Sequence, residues 1–501
     1  MSMAAGNLVV ITRHGRVRGH VTDGVAAFKG IPYAAPPFGA NRFQPPRPPE
    51  PWDGVRDALE YGRVAPQPPY APPFDQLLGN QGRPGEDCLN LNVWTPDPSE
   101  GGLPVIVWIH GGSFVRGSGA LPTYDGTRFA RDGVVCVTIN YRLGADGFLY
   151  LGDWIANRGL LDQIAALEWV QENIRAFGGD PARITIFGES AGAFSVATLL
   201  SMPRAKGLFQ RAIAQSGAGH HTSSVATAQL VGRNLADKLH VAPTMPSIAA
   251  VPLDRLVEAQ AELGQELAVR PDPVRWGEVA ANAMIFEPVV DGEVVPARPI
   301  ERIVAGASAG IDLMVGTTTE EWRFFLVPGG AIDRVTDDRL STMARVMGLD
   351  VEPALQVYRA SLPQQTAGDL LAALITDWFF RIPAIRLAEA HAKNGGPTHM
   401  YEFAWRSPLF DGRLGAAHAV EIGFVFNNLG RKGAMTLAGS APPQMLADVM
   451  HKAWVAFATR GDPGWPAYDS RERTVMRFDG VGGTIVTDPA PKERQLWDGI
   501  R

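Results

Sequence analysis

The chain has 501 residues, of which 46% are hydrophobic and 20% charged, the composition of an ordinary globular protein with enough apolar material for a large core. Its formal net charge of −6, with basic residues scattered in pairs, argues against nucleic acid and anionic membrane surfaces as partners. Met1 to Val10 has no basic segment followed by an apolar stretch, and no later run approaches ~18 uninterrupted apolar residues, so no membrane association and a cytoplasmic location are expected.

Short β-like runs open the chain (Leu8 to Thr12, Val17 to Val21, Val25 to Phe28), and a proline-rich stretch follows from Pro32 to Pro51. This reads as a small N-terminal antiparallel sheet and an ordered loop. Pro104 to Ile109 and Val134 to Ile139 are continuous apolar runs, as central strands buried on both faces require, and Leu161 to Phe177 has helical periodicity. Cys136, inside the second run, is expected to be a buried inert thiol, and two cysteines supply neither a disulfide framework nor a metal site.

Ile184 to Phe187 is the next strand, followed at once by Gly188-Glu189-Ser190-Ala191-Gly192 and a small-residue helical stretch to Leu200. Strand, G-x-S-x-G turn and helix in that order describe a nucleophile elbow, with the Ser190 hydroxyl presented at the end of a sheet. Gly306-Ala307-Ser308-Ala309-Gly310 also fits G-x-S-x-G, but it lies between a helix-like and a strand-like segment and reads as a helix C-cap. Further strands are expected at Ala212 to Gln215, Asp312 to Gly316 and His399 to Trp405. Two helical insertions, at about 222–281 and 334–394, should cover the carboxyl edge of the sheet. Strands alternating with helices predict an α/β fold with a mostly parallel sheet. The candidate chemistry spans much of the chain, so residues 1–501 are read as a single catalytic domain.

A serine nucleophile needs a base, an acid to orient it and donors for the oxyanion. His110-Gly111-Gly112-Ser113-Phe114 follows the strand ending at Ile109, and the amides of Gly112, Ser113 and Ala191 make a plausible three-donor hole. Of the ten histidines, His391 and His451 fall in helix-like stretches and His14 and His20 in the N-terminal sheet. His418, in a Gly/Ala-rich loop after the last candidate strand, is the candidate base. Glu320 and Glu321, after the strand ending near Gly316, compete for the acid, and composition does not separate them.

Taken in order, Phe28-Lys29-Gly30-Ile31-Pro32-Tyr33-Ala34, Glu86-Asp87-Cys88-Leu89-Asn90-Leu91-Asn92-Val93, Phe187 to Gly192, Gln215-Ser216-Gly217 and Trp454 to Ala458 resemble the landmarks of the type-B carboxylesterases. These are α/β-hydrolases that include bacterial para-nitrobenzyl esterases and the cholinesterases. The resemblance spans nearly the whole chain and implies an α/β-hydrolase fold and a serine carboxylesterase acting on short- to medium-chain alkyl or aryl esters. An amidase, a lipase-like hydrolase or a non-catalytic interaction protein are the alternatives. Aligned with the family's G-T-x-x-D-E-G and H-x-x-E-x-x-F-V-F patterns, Glu321 takes the acid role and His418 the base role. The resemblance also implies ion pairs of Arg42 with Glu86 and of Arg142 with Asp180, a hydrogen bond from Ser216 to the acid, and a free Cys88. No Trp lies between Ala65 and Cys88, which disfavours a choline-ester specialist. Phe114, Trp322, Phe324, Phe325 and Phe424 are candidates to line the substrate pocket, against the ordinary alternative of core packing. His220 and His221 are expected on a surface loop. The chemistry calls for no cofactor or metal, and the expected partner is a small-molecule ester, with the chain a monomer or weak homo-oligomer.

Overall fold

A computed structural model describes residues 6–362 and 364–501. Its strands in chain order are β1 (Gly6–Thr12), β2 (Gly15–Thr22), β3 (Val25–Pro32), β4 (Val55–Asp57), β5 (Asn90–Thr95), β6 (Leu103–Ile109), β7 (Val135–Ile139), β8 (Gly179–Glu189), β9 (Arg211–Gln215), β10 (Ser223–Ser224), β11 (Val289–Val290), β12 (Asp312–Thr318), β13 (Thr398–Phe403), β14 (Thr474–Phe478) and β15 (Gly483–Thr487). Thirteen of them form one sheet in the order β1-β2-β3-β5-β7-β6-β8-β9-β12-β13-β14-β15, with β4 alongside β2. From β7 to β14 neighbouring strands are parallel, and the two ends of the sheet are antiparallel.

The N-terminal strands are antiparallel as expected, but they are not a separate small sheet. β3 pairs with β5 and β5 with β7, which joins them to the central sheet. The reason is hydrogen bonding: Asn90 to Thr95 is buried along its whole length, and each of its edges must find a partner strand. The antiparallel pair β14/β15 closes the other edge.

Every residue of β6 and β7 is buried, because helices cover both faces of a parallel sheet. The predicted helix from Leu161 to Phe177 is an α-helix over Arg158–Asn173 completed by a 3₁₀ turn at Ile174–Phe177. Gly306 to Gly310 lies between the helix Pro299–Val304 and β12, so the second G-x-S-x-G is the helix-to-strand connection it was read as. Between β10 and β11, helices at Val225–Leu239 and Leu253–Val269 dominate the first insertion. The second contains Asp337–Val346, Val351–Ser361, Ala367–Thr376, a π-helical turn at Asp377–Arg381, and Ile382–Lys393. Among the described residues no helix is long and apolar enough to cross a membrane.

Both expected ion pairs have other partners. Arg142 lies just beyond the carboxyl end of β7 and makes a bidentate pair with Asp162 at 2.8 and 2.7 Å, both side chains being buried. Asp180 stands at the start of β8, at the opposite end of the sheet, where it accepts from the Ala182 amide at 3.0 Å. Arg42 pairs with buried Asp146 at 3.0 Å, while Glu86 is exposed. Cys88 and Cys136 are both free and buried.

Candidate active site

The carboxyl ends of β6, β8, β9 and β12 converge, and the residues singled out in the sequence leave the sheet there. At the end of β8 the chain turns into the helix Ala191–Ser201 with Ser190 at φ +58° and ψ −123°. An L-residue adopts such a backbone only when its surroundings impose it. Here the Ser190 amide donates to Gln215 O at 3.0 Å and its carbonyl accepts from Phe194 at 2.9 Å. Gly192 is required by proximity: a Cβ there would collide with the Ile109 carbonyl. The turn therefore holds Ser190 rigidly at the start of a helix that is buried throughout.

The loop after β6 passes directly over this turn. A Cβ on Gly111 would meet the Glu189 carbonyl at 2.7 Å and Ser190 Cβ at 3.1 Å. Gly112, Ser113 and Phe114 all have positive φ (113°, 54° and 60°), which turns successive amides to one side, as in an anion-binding nest. Among the described residues the amides of Gly112, Ser113 and Ala191 donate no hydrogen bond within the protein. His110 braces the loop: its ring stacks on Tyr141 with centroids 4.4 Å apart, and its Nδ1 lies 2.8 Å from Gly111 O. Burial pushes the imidazole down to about 4, so the ring is neutral and Nδ1–H is the donor.

His418 and Glu321 come together. His418 Nδ1 lies 2.6 Å from Glu321 Oε2, and the His418 amide donates to the Glu321 carbonyl at 3.2 Å. Glu321 is wholly buried and its second oxygen accepts the Thr318 amide at 2.8 Å. Ser216 does not hydrogen-bond the acid as expected. Its hydroxyl is buried without a partner, and the Glu321 carboxylate is instead bonded by the Thr318 amide and the His418 ring. His418 Nε2 lies 3.0 Å from Glu189 Oε1, outside hydrogen-bond geometry, and that oxygen has no other partner. The structure records no hydrogen bond between Ser190 Oγ and His418 among the described residues. Burial, with Glu321 close by, pushes the Glu189 carboxyl well above the usual carboxylate range. Glu421 is raised likewise, first by burial and then by Glu189 and Glu321. Burial and the proximity of the carboxylates to one another thus favour the protonated form of both Glu189 and Glu421.

Glu320, the competing glutamate, braces the two loops. It exchanges hydrogen bonds with the Ala416 backbone at 2.9 Å in both directions and pairs with Arg323 at 2.9 Å and with Arg406. Arg323 continues to Asp369 at 2.7 Å and to Arg413 O at 2.9 Å.

The aromatic candidates divide. Phe324 and Phe325 lie 6.1 and 5.5 Å from the His418 ring, and Trp322 packs on Phe325 at 4.5 Å. Phe114 is core, packed against Phe148 at 4.9 Å with the rings tilted, and Phe424 is core between Phe403 and Trp405. Phe380, which the sequence reading did not single out, lies nearest at 4.8 Å, and Phe379 packs beside it. The run Asp377-Trp378-Phe379-Phe380 in an otherwise aliphatic stretch was the available signal. His221 is not on a surface loop: it is buried, stacks on Phe379 at 4.0 Å and bonds Phe379 O at 3.0 Å. An apolar wall formed by the second insertion accounts for that burial.

The profile of the Carboxylesterase family matches residues 6–481. The para-nitrobenzyl esterase of Bacillus subtilis (strain 168) is 38% identical, with 97% of this chain and 98% of that one aligned, and the phenmedipham hydrolase of Pseudarthrobacter oxydans is 36% identical over 96% of each. Among solved structures, a carboxylesterase of Geobacillus stearothermophilus superposes with a TM-score of 0.86 at 39% identity, covering 98% of this chain and 99% of that one. A PNB esterase superposes with a TM-score of 0.84 at 36% identity and similar coverage. A parallel sheet that delivers an elbow serine, a glycine loop and a His–Glu pair to one edge is the α/β-hydrolase arrangement, and with these likenesses over nearly the full length the chain belongs to the carboxylesterase family and is a hydrolase of carboxylic esters.

Proposed function

We propose that the chain hydrolyses short- to medium-chain alkyl or aryl esters through an acyl-enzyme, with Ser190 as nucleophile, His418 as general base and acid, and Glu321 orienting the imidazole. The observation that carries this reading is the 2.6 Å contact between His418 Nδ1 and Glu321 Oε2 beside the strained elbow of Ser190. With Nδ1–H donated to the buried carboxylate, the Nε2 lone pair is the one left to take the Ser190 proton. Oγ then adds to the ester carbonyl, and the imidazolium returns the proton to the departing alcohol. A water molecule repeats the sequence on the acyl-enzyme, releasing the acid and regenerating Ser190.

The amides of Gly112, Ser113 and Ala191 are the proposed oxyanion donors. Their freedom from internal hydrogen bonds supports that role, and loss of one such donor costs about 10²–10³ in kcat in a comparable hydrolase. Glu189, with Oε1 3.0 Å from Nε2, flanks the proposed base without hydrogen-bonding it. Phe324, Phe325 and Phe380 around His418 favour an apolar acyl or aryl group at the reacting centre. The similar para-nitrobenzyl esterase and phenmedipham hydrolase support the same reading. Because the three groups are drawn from separate stretches of one sheet, we read the chain as one catalytic domain.

The test is hydrolysis of para-nitrophenyl esters from acetate to decanoate by the unaltered protein and by Ser190→Ala. Turnover that peaks at short or medium chains, with a burst of para-nitrophenol that Ser190→Ala abolishes, is expected. A full burst in the variant would remove Ser190 from the mechanism.

A further inference from the structure

A cavity of about 480 Å³ lies well away from Ser190. Its floor is Trp94 of β5, which pairs with Cys136, level with Ile106 and Thr185 on the next two strands. Ser190 is five residues further along and three strands across, so the two sites are about 20 Å apart at ~3.3 Å per residue and ~4.8 Å per strand. The walls are β3, the short helix Thr127–Arg131 and the segment Asn427 to Arg431.

Four cationic side chains, Lys29, Arg128, Arg131 and Arg431, face the cavity against two carboxylates, Asp23 and Asp125. The pocket is therefore electropositive in a chain of net charge −6. The carboxylates are taken: Arg431 holds buried Asp125 at 2.8 Å and Arg131 lies 3.4 Å from Asp23. Among the described residues no carboxylate lies within 4.0 Å of Lys29 or Arg128. Lys29 is half-buried, its ammonium 4.5 Å from the Tyr61 ring centroid, and burial lowers its proton affinity. Asp125 acts on Lys29 through space but is already held by Arg431, so the ammonium is withdrawn from water with no carboxylate of its own, which is unfavourable. An anion entering the cavity supplies that charge in a setting where attraction is stronger than in bulk water.

We propose that this cavity is a binding site for a small organic anion, its anionic head held by Lys29 and Arg128 and its apolar body lying against the partly exposed Ala27 and Leu429, above buried Trp94. The volume suits a ligand of that kind, and a cavity with an apolar floor and a few fixed polar groups is the usual form of such sites. Arg128 is exposed and reaches the rim, so it recruits the anion, whereas Lys29 fixes its depth.

The experiment is calorimetric titration of phenyl phosphate into the full chain, repeated with Lys29→Met and Arg128→Gln and with inorganic phosphate as the second probe. Saturable binding of phenyl phosphate is expected, weakened at least about tenfold in each variant, with inorganic phosphate at least about tenfold weaker than phenyl phosphate. Ester hydrolysis by both variants should stay within about twofold of the unaltered protein, as 20 Å of separation predicts. Absence of saturable heat to about 10 mM, or unchanged affinity in Arg128→Gln, whose exposed side chain leaves the fold intact, would overturn the proposal. Equal affinity for the two probes would overturn the apolar part of the assignment.

Discussion

Replacing Asp162 by Asn tests which carboxylate neutralises Arg142. The guanidinium is 1% exposed and makes two hydrogen bonds to Asp162, and a third donor reaches Gln44 O at 2.7 Å. Asp162→Asn keeps the shape and an acceptor but strands a buried positive charge, which costs about 3–5 kcal/mol. With an unfolding entropy of ~2.1 cal/mol/K per residue, a chain of this size loses roughly 1 °C of Tm for each kcal/mol, so a fall of about 3–5 °C is expected. Asp180→Asn is the control: its carboxylate accepts one amide hydrogen bond at a half-exposed turn, and Asn replaces that acceptor at a cost within about 0.5 kcal/mol. Differential scanning calorimetry of the two variants at one scan rate gives the comparison. Equal shifts, or a larger one for Asp180→Asn, would refute the assignment and restore the pairing inferred from family resemblance.

Glu287 is buried, accepts from Ser223 Oγ at 2.7 Å and Asn282 Nδ2 at 3.0 Å, and is pushed up to about 8 by burial. Between its ordinary value and about 8 the folded chain holds one proton more than the unfolded chain, so stability falls as pH rises, by about 1.4 kcal/mol per unit. Between about pH 5.5 and 7.5 the loss is ~2.7 kcal/mol, or roughly 3 °C in Tm, and Glu287→Gln should flatten that slope; an unchanged slope would show that Glu287 titrates normally. Glu320→Ala removes the brace between the Glu321 and His418 loops and should lower kcat by about tenfold with little change in KM, since it misplaces the base without touching substrate; steady-state kinetics that leave kcat intact would deny the brace a role. Phe380→Ala deletes the aromatic ring nearest the base and should cost about 3–5 kcal/mol in stability while moving the preferred acyl chain to greater length; an unmoved chain-length profile would place Phe380 outside the acyl pocket.

The elbow, the glycine loop and the central strands were legible because each is fixed locally. A continuous apolar run of strand length is compatible with few environments in an α/β protein, and Gly188 and Gly192 are needed at a turn whose close contacts exclude a side chain at those two positions. His418 and Glu321 were singled out only through their loops and their place in a family pattern, since neither has a local signature. The N-terminal strands were read correctly as antiparallel but not as part of the main sheet, because strand pairing depends on which distant edge is free. Glu189 stood inside the motif without an assigned role, and its proximity to His418 arises only when the two loops fold together.

What the sequence determined by itself was the order of strands and helices and the tight turn at Ser190 that follows β8, since backbone conformation at a tight turn and the burial of a strand follow from neighbouring residues. Which acid faces Arg142, which donor satisfies Glu321 in place of Ser216, and which aromatic rings enclose His418 were decided only by tertiary structure. Charges and rings meet across the fold by proximity in space, and a carboxylate takes whichever donor the packed backbone brings within about 3 Å of it first.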